Sequence, residues 1–173
     1  MSGNKNNTTK RVHTLTWEDP DISARDVDAI SGIDYLRAIK NGQIESPPVA
    51  KLVGYRIVDA ASGRAVFALT PAEYHYNPFA TVHGGIVSTI LDTTMTAAVL
   101  STLPIGLGCS TLEFKVNFIR SITAKTGEMR CEAELIHAGK RIATAAGKLM
   151  DGNNKLYAHA VGTCLIFQSP QHA

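Results

Sequence analysis

An α+β fold, with an antiparallel sheet wrapped around one long helix, is what three features of this 173-residue sequence predict. The segment from Gly84 to about Leu103 is apolar on nearly every face and carries a single charge, Asp92, so it reads as a helix buried all round rather than a surface helix with one apolar stripe. Farther along, Leu112, Phe114, Val116 and Phe118 alternate with Thr111, Glu113, Lys115 and Asn117, the period of a strand with one buried and one wetter face. Strand-like runs flank the helix on both sides, punctuated by short turns, and consecutive strands joined by short turns pair antiparallel.

In chain order, residues Met1 to about His13 are rich in Asn, Thr and Lys and read as a flexible tail. Asp19-Pro20 supplies an N-cap followed by proline at the first helical position. Ser31 with Asp34 supplies another, leading to Tyr35, Leu36 and Ile39 on one face before Gly42 ends the turn. Two short helices, or one kinked helix, therefore open a helical extension over residues 14–47. Pro47-Pro48 closes it, and Val49 to Ala60 with Arg64 to Leu69 reads as a hairpin around Ser62-Gly63. After the long helix, Met129, Cys131, Ala133 and Leu135 form a second alternating run. It turns through His137 to Lys140 into Ile142–Met150, then through Asp151-Gly152 into Leu156–Phe167. Residues 48–173 thus make one domain, and a chain this long buries about 70% of its unfolded surface without needing metal or disulfide.

Composition narrows the function classes. Seventeen Lys plus Arg against fifteen Asp plus Glu leave +2, too small a surplus for a protein that must neutralise many phosphates, so no nucleic-acid partner is expected. Cys109, Cys131 and Cys164 are odd in number and lie in no metal-ligand spacing, which suggests buried thiols in a reducing compartment and no metal site. The N-terminus has no apolar signal core and no stretch is long enough to span a bilayer, so a cytoplasmic protein with no membrane partner is expected.

Chemistry converges on His75 to Gly85 and on Asp92. A Gly-Gly pair opening a helix leaves backbone N–H groups unobstructed at the positive end of the macrodipole, where a developing oxyanion can be held. Gly84 and Gly85 would equally permit a tight loop. Asp92, ionisable in an apolar helix, is costly there unless paired, cleft-exposed or used as a base or nucleophile, although neighbouring threonines could also satisfy it. Asn77 and His83 can bond a carbonyl or brace the loop. His75, His137 and His159 carry no functional expectation.

The run HYNPFATVHGGIVSTILDTT, with Gly108-Cys109-Ser110 and the TLEFKVNFIRSI strand after it, resembles the hotdog-fold acyl-CoA thioesterases of the phenylacetate-degradation (PaaI) type, over roughly Pro48 to Phe167. The resemblance implies a sheet wrapping the central helix and dimers joined edge to edge, commonly paired into tetramers. It implies Gly84 as oxyanion donor, Asp92 as catalytic carboxylate, Asn77 as a thioester- or water-positioning group, Ser110 as a second polar group near the acid, and a less uniform role for His83. Gly85, Cys109 and Thr111 become candidate substrate contacts. The substrate would be an acyl-CoA, with no separate cofactor. Arg120, Lys140 and Arg141 stand at strand ends or turns where a basic rim could meet the phosphates of coenzyme A, although charges at turns are also ordinary solvated groups. A non-catalytic acyl-CoA-binding module and an acyl-CoA hydratase or dehydratase remain alternatives on the same fold.

Spacing bears on assembly independently. Asp92 lies eight residues beyond Gly84, about 12 Å along a helix at 1.5 Å per residue. One thioester cannot touch both within a chain, so if both act, the acid comes from a second subunit and the protein is an obligate homodimer.

Overall fold

The computed structural model describes residues 9–169. The extension folds as α1 (Pro20–Ala29) and α2 (Gly32–Lys40), two helices rather than one kinked one. Asp19 accepts from Asp21 N–H, Ser31 accepts from Asp34 N–H, and Pro20 occupies the first turn of α1. Helix α2 lies against the C-terminal end of the central helix with no room to spare. Gly32 N–H donates to Leu103 O (3.1 Å), and a Cβ built on Gly32 would stand 1.9 Å from Leu100 O, so only glycine permits this approach. Lys40 then ties α2 to the sheet through Asp59 (3.3 Å). Lys40 and Arg64 together hold the Asp59 carboxyl below its usual range. Of the expected tail, residues 1–8 lie outside the described residues. Residues 9–13 have no regular secondary structure, with Arg11 paired to Glu73 and His13 stacked on Tyr74.

The expected strand from Val49 is wrong at its start, because residues Pro48–Val53 form a short helix, α3. Pro48 is already set for the first helical turn, and Gly54, at φ +80°, closes the helix in a left-handed conformation. Strand β1 (Tyr55–Ala61) begins only beyond it and pairs with β2 (Arg64–Leu69) across the Ser62-Gly63 turn. The central helix, α4, spans Gly84–Leu100, one turn shorter than expected. Strands β3 (Leu107–Phe118), β4 (Met129–Ala138), β5 (Ile142–Met150) and β6 (Leu156–Gln168) complete a six-stranded antiparallel sheet ordered β1-β2-β4-β5-β6-β3.

The sheet curls around α4, which packs on all its strands. Its inner face is paved with small residues, Ala65, Ala133, Ala143, Ala145, Ala158 and Ala160, none more than 1% exposed. Short side chains there let the helix seat Ile90, Leu91, Met95 and Val99 directly on the strands. Burial of the helix is nonetheless not complete: Ser88, Thr89, Asp92, Thr93 and Thr96 are half-buried, a polar stripe that the apolar count conceals.

A second correction concerns β3. The alternation assigned Leu112, Phe114, Val116 and Phe118 to one buried face, but a bulge between Thr111 and Glu113 shifts the register against β6. Leu112, at the bulge, is 57% exposed, while Phe114 and Val116 beyond it pack on the core; Phe118, the last residue of the strand, is 56% exposed. A bulge adds one residue to one strand, and the alternation slips by one at that point. Strand β3 is also an outer edge of the sheet, its other side unpaired among the described residues. All three cysteines are free, Cys131 and Cys164 buried and Cys109 half-buried, and burial pushes the Cys109 and Cys131 thiols up to about 12. No helix among the described residues is long and apolar enough to cross a membrane.

Candidate active site

The loop before α4 is held by the residues the sequence singles out. Asn77 N–H donates to Thr81 O (2.8 Å), and Ala80 N–H donates back to Asn77 O (3.1 Å). The Asn77 carboxamide oxygen accepts from Phe79 N–H (2.9 Å), Thr81 N–H (3.3 Å) and Thr81 Oγ1 (3.2 Å). This oxygen braces the turn. The Asn77 amide NH₂ donates to no protein group among the described residues and stays available for a ligand. At the helix start His83 is the N-cap, its Nδ1 accepting from Gly85 N–H at 2.8 Å, so the Gly85 donor is spent locally. The Gly84 N–H donates to no acceptor among the described residues. It opens onto a cavity of about 340 Å³ lined by Asn77, Gly84, Val87, Phe118 and Arg120. A bare N–H at a helix N-terminus facing space is the geometry an oxyanion requires.

Beneath the loop, His75 is 3% exposed and its carbonyl accepts from His83 N–H (2.8 Å). Its Nδ1 accepts from Ala72 N–H (3.1 Å), while Nε2 has no hydrogen-bond partner among the described residues. Burial holds the imidazole below its usual 6.5 and therefore neutral. The unfolded chain then binds the proton more readily than the folded one, so stability present above pH 6.5 is lost as pH falls through the folded value. Melting temperature is expected to drop between pH 7.5 and pH 5, and His75→Gln should flatten that dependence.

Two turns along α4, Asp92 points elsewhere. Its Oδ1 accepts from Thr111 Oγ1 at 2.6 Å, and Thr111 Oγ1 lies 3.0 Å from Thr96 Oγ1. The hydroxyl on the acid is thus Thr111's; Ser110, one residue earlier on β3, is exposed and pairs with Leu165 in the ladder. Cys109 donates its thiol to Thr96 O (3.6 Å) and so packs against the same stretch of helix. Asp92 opens onto a second cavity, of about 250 Å³, distinct from the one at Gly84. Thr111→Val, which leaves the Asp92 carboxylate free to rotate, is expected to lower kcat about tenfold, the effect of losing one hydrogen bond to a charged group. Steady-state kinetics with an unchanged circular dichroism spectrum would check it.

The basic residues are not brought together within one chain. Arg120 lines the Gly84 cavity and bonds Leu156 O at the start of β6. Lys140 and Arg141 are exposed at the β4–β5 turn, where Arg141 O accepts from Ile166 N–H near the other end of the same strand. Ten residues of strand separate the two places by about 33 Å. The hydroxyl chain Thr96–Thr111–Asp92 escapes a reading of the sequence, since α4 and β3 meet only in the folded chain.

Comparison with known proteins bears on the family and the fold. Residues 79–158, from the loop through most of the sheet, match the family model described as the Thioesterase superfamily. A conserved protein from Pseudomonas aeruginosa, PA5202, has a solved structure 32% identical, covering 70% of this chain and 95% of its own, with a TM-score of 0.67. The chain belongs to the thioesterase superfamily. The sheet curled around α4 is the hotdog fold of that superfamily. A phenylacetic acid degradation-related protein from Ralstonia eutropha JMP134 is 29% identical over 76% of this chain and 98% of its own, with a TM-score of 0.69. The PaaI protein of the Escherichia coli phenylacetic acid degradation operon, 22% identical, shares the fold at a TM-score of 0.70 over 80% of this chain and 98% of its own. Within this chain the two groups with the clearest chemical capacity, the Gly84 N–H and the Asp92 carboxylate, face separate cavities.

Proposed function

We propose that the chain is a homodimeric acyl-CoA thioesterase whose active sites are each built from two subunits. One observation carries this reading: the free donor at Gly84 and the acid at Asp92 open into different cavities of one chain, while β3, beside Asp92, is an unpaired sheet edge. A second copy added antiparallel along β3 would bring Gly84 of the partner subunit toward Asp92 and, by the two-fold, do so twice. The exposed Leu112 and Phe118 on that strand give the pairing apolar area to bury.

In the proposed reaction the thioester carbonyl oxygen accepts from the Gly84 N–H. Asp92 takes a proton from water as the water oxygen bonds to the carbonyl carbon. Collapse of the tetrahedral intermediate breaks the C–S bond. The proton held on Asp92 passes to the departing sulfur, leaving coenzyme A and a carboxylic acid. The Asn77 NH₂ is placed to hold the thioester or the water, and Arg120, on the wall of the same cavity, to meet a phosphate. Arg120 of one subunit would contribute near its own Gly84, whereas Lys140 and Arg141 would reach a phosphate only across the dimer.

The test is release of free thiol from a panel of acyl-CoA thioesters, with the protein's oligomeric state measured by sedimentation. Turnover of at least one thioester by a dimer or larger assembly is expected. Binding without thiol release would identify an acyl-CoA-binding module instead, and an active monomer would exclude the shared site.

A further inference from the structure

We infer that His75, which lines neither the Gly84 cavity nor the Asp92 cavity, is a positioning residue that sets the direction of the Gly84 N–H. The inference rests on the proposed thioesterase reading, in which that N–H holds the thioester oxygen. The loop leading to Gly84 closes on its own base. His83 N–H donates to His75 O (2.8 Å), Tyr76 and Val82 form an antiparallel bridge one residue farther in, and Asn77 N–H donates to Thr81 O (2.8 Å). His83 directly precedes Gly84, and its extended backbone (φ −61°, ψ 137°) sets the plane of the peptide that carries the Gly84 N–H. The pairing of His83 with His75 is therefore the last fixed point before the donor.

What fixes His75 is its side chain. His75 N–H donates to Ala72 O (3.0 Å) while its Nδ1 accepts from Ala72 N–H (3.1 Å), two bonds in opposite directions that close the one-turn helix Glu73–His75. The ring also meets Tyr74 edge-on (4.4 Å, 73°) and is buried. Because Nδ1 accepts, the proton of the neutral imidazole resides on Nε2. That nitrogen completes no hydrogen bond among the described residues, although the Val53 carbonyl at the end of α3 lies near the ring. A buried N–H without a partner is costly, and an apolar side chain would fill the same space without that cost. The acceptor at Nδ1 is what the imidazole adds, and its bond goes to the backbone that orients the loop.

Substitutions at this position separate the acceptor from the bulk. His75→Leu fills the space without an acceptor, whereas the carboxamide oxygen of His75→Asn stands where Nδ1 does. Hydrogen exchange on the full-length protein reads the loop without any substrate. In His75→Leu, exchange at the His83 N–H is expected to quicken about tenfold more than at Ile90 in the middle of α4, and in His75→Asn by about twofold at most. His75→Met serves as a more adaptable apolar replacement should the leucine variant fail to fold. With the best acyl-CoA, His75→Leu should lower kcat about tenfold and leave KM within about twofold, since a displaced oxyanion donor is felt in the transition state rather than in binding. His75→Asn should bring kcat back to within about threefold of wild type, and in a Gly84→Pro background His75→Leu should cost nothing further, because the donor it aims is already gone. Rescue by asparagine together with that non-additivity supports the inference. A folded His75→Leu protein that exchanges and turns over like wild type overturns it, and so does an equal loss of kcat in His75→Asn or in the Gly84→Pro background. Quickened exchange at His83 in the leucine variant, with no hydrolysis of any thioester by the wild-type protein, would instead remove the thioesterase reading and keep the control of the loop by His75.

Discussion

Asp92→Asn is expected to lower kcat for the best acyl-CoA by at least ~10²-fold with KM little changed, because an amide cannot take the proton from water. The substitution is nearly isosteric, and the amide oxygen still accepts from Thr111 Oγ1, the 2.6 Å contact that holds the side chain against β3. Fold and substrate binding should therefore survive, and the circular dichroism spectrum should stay native. Near-full hydrolysis by the folded Asp92→Asn protein would take this carboxylate out of the mechanism.

The second large effect is a recovery of activity. Gly84→Pro deletes the proposed oxyanion donor, and activity is expected to fall about 10²–10³-fold, the loss typical of one such donor. The backbone can accept proline there: it is the first residue of α4, and His83 before it is extended (φ −61°, ψ 137°), as a residue preceding proline must be. A Cβ at this position would meet the Phe118 ring at 3.2 Å, but Phe118 is 56% exposed and can swing aside. A dimer of one Asp92→Asn chain and one Gly84→Pro chain then carries both lesions in one shared site and neither in the other. Refolding the two inactive proteins together should restore about a quarter of wild-type activity, since random pairing makes half the dimers mixed and each holds one intact site. Recovery no higher than the separate variants, with mixed dimers confirmed by differential tagging, would sink the shared-site model.

Much of the architecture follows from local rules that act within a few residues. Asp19-Pro20 and Ser31 start helices because their side chains satisfy backbone donors three residues away or fewer, whatever packs on them. Met129, Cys131 and Ala133 alternate inward along β4 because a straight strand has a period of two. The apolar run with Asp92 announces α4, and its polar stripe at residues 88, 89, 92, 93 and 96 is present in the letters once the helix is known to face a cavity. Even the separation of Gly84 from Asp92 is a property of helix rise alone.

Where signals compete, either a stronger local start and stop or a tertiary contact decides. Val49 to Val53 is apolar enough for a strand and becomes helix because Pro48 starts it and Gly54 stops it, each fixing backbone angles that the hydrophobic pattern does not encode. The bulge in β3 turns Leu112 to the surface, an outcome set by register against a part of β6 far along the chain, where Thr111 pairs with Cys164 and Glu113 with Thr163. Likewise Thr111 reaches Asp92 across the gap between β3 and α4, and Arg120 parts from Lys140 and Arg141 because β6 runs between them. Periodicity and composition within one segment are enough to read the long apolar helix, the Gly-Gly pair at its start and its single acid. That the donor and the acid face different cavities, and that the N-terminal helices wall the acid's side, follows from packing alone, because these are relations between segments distant in the chain.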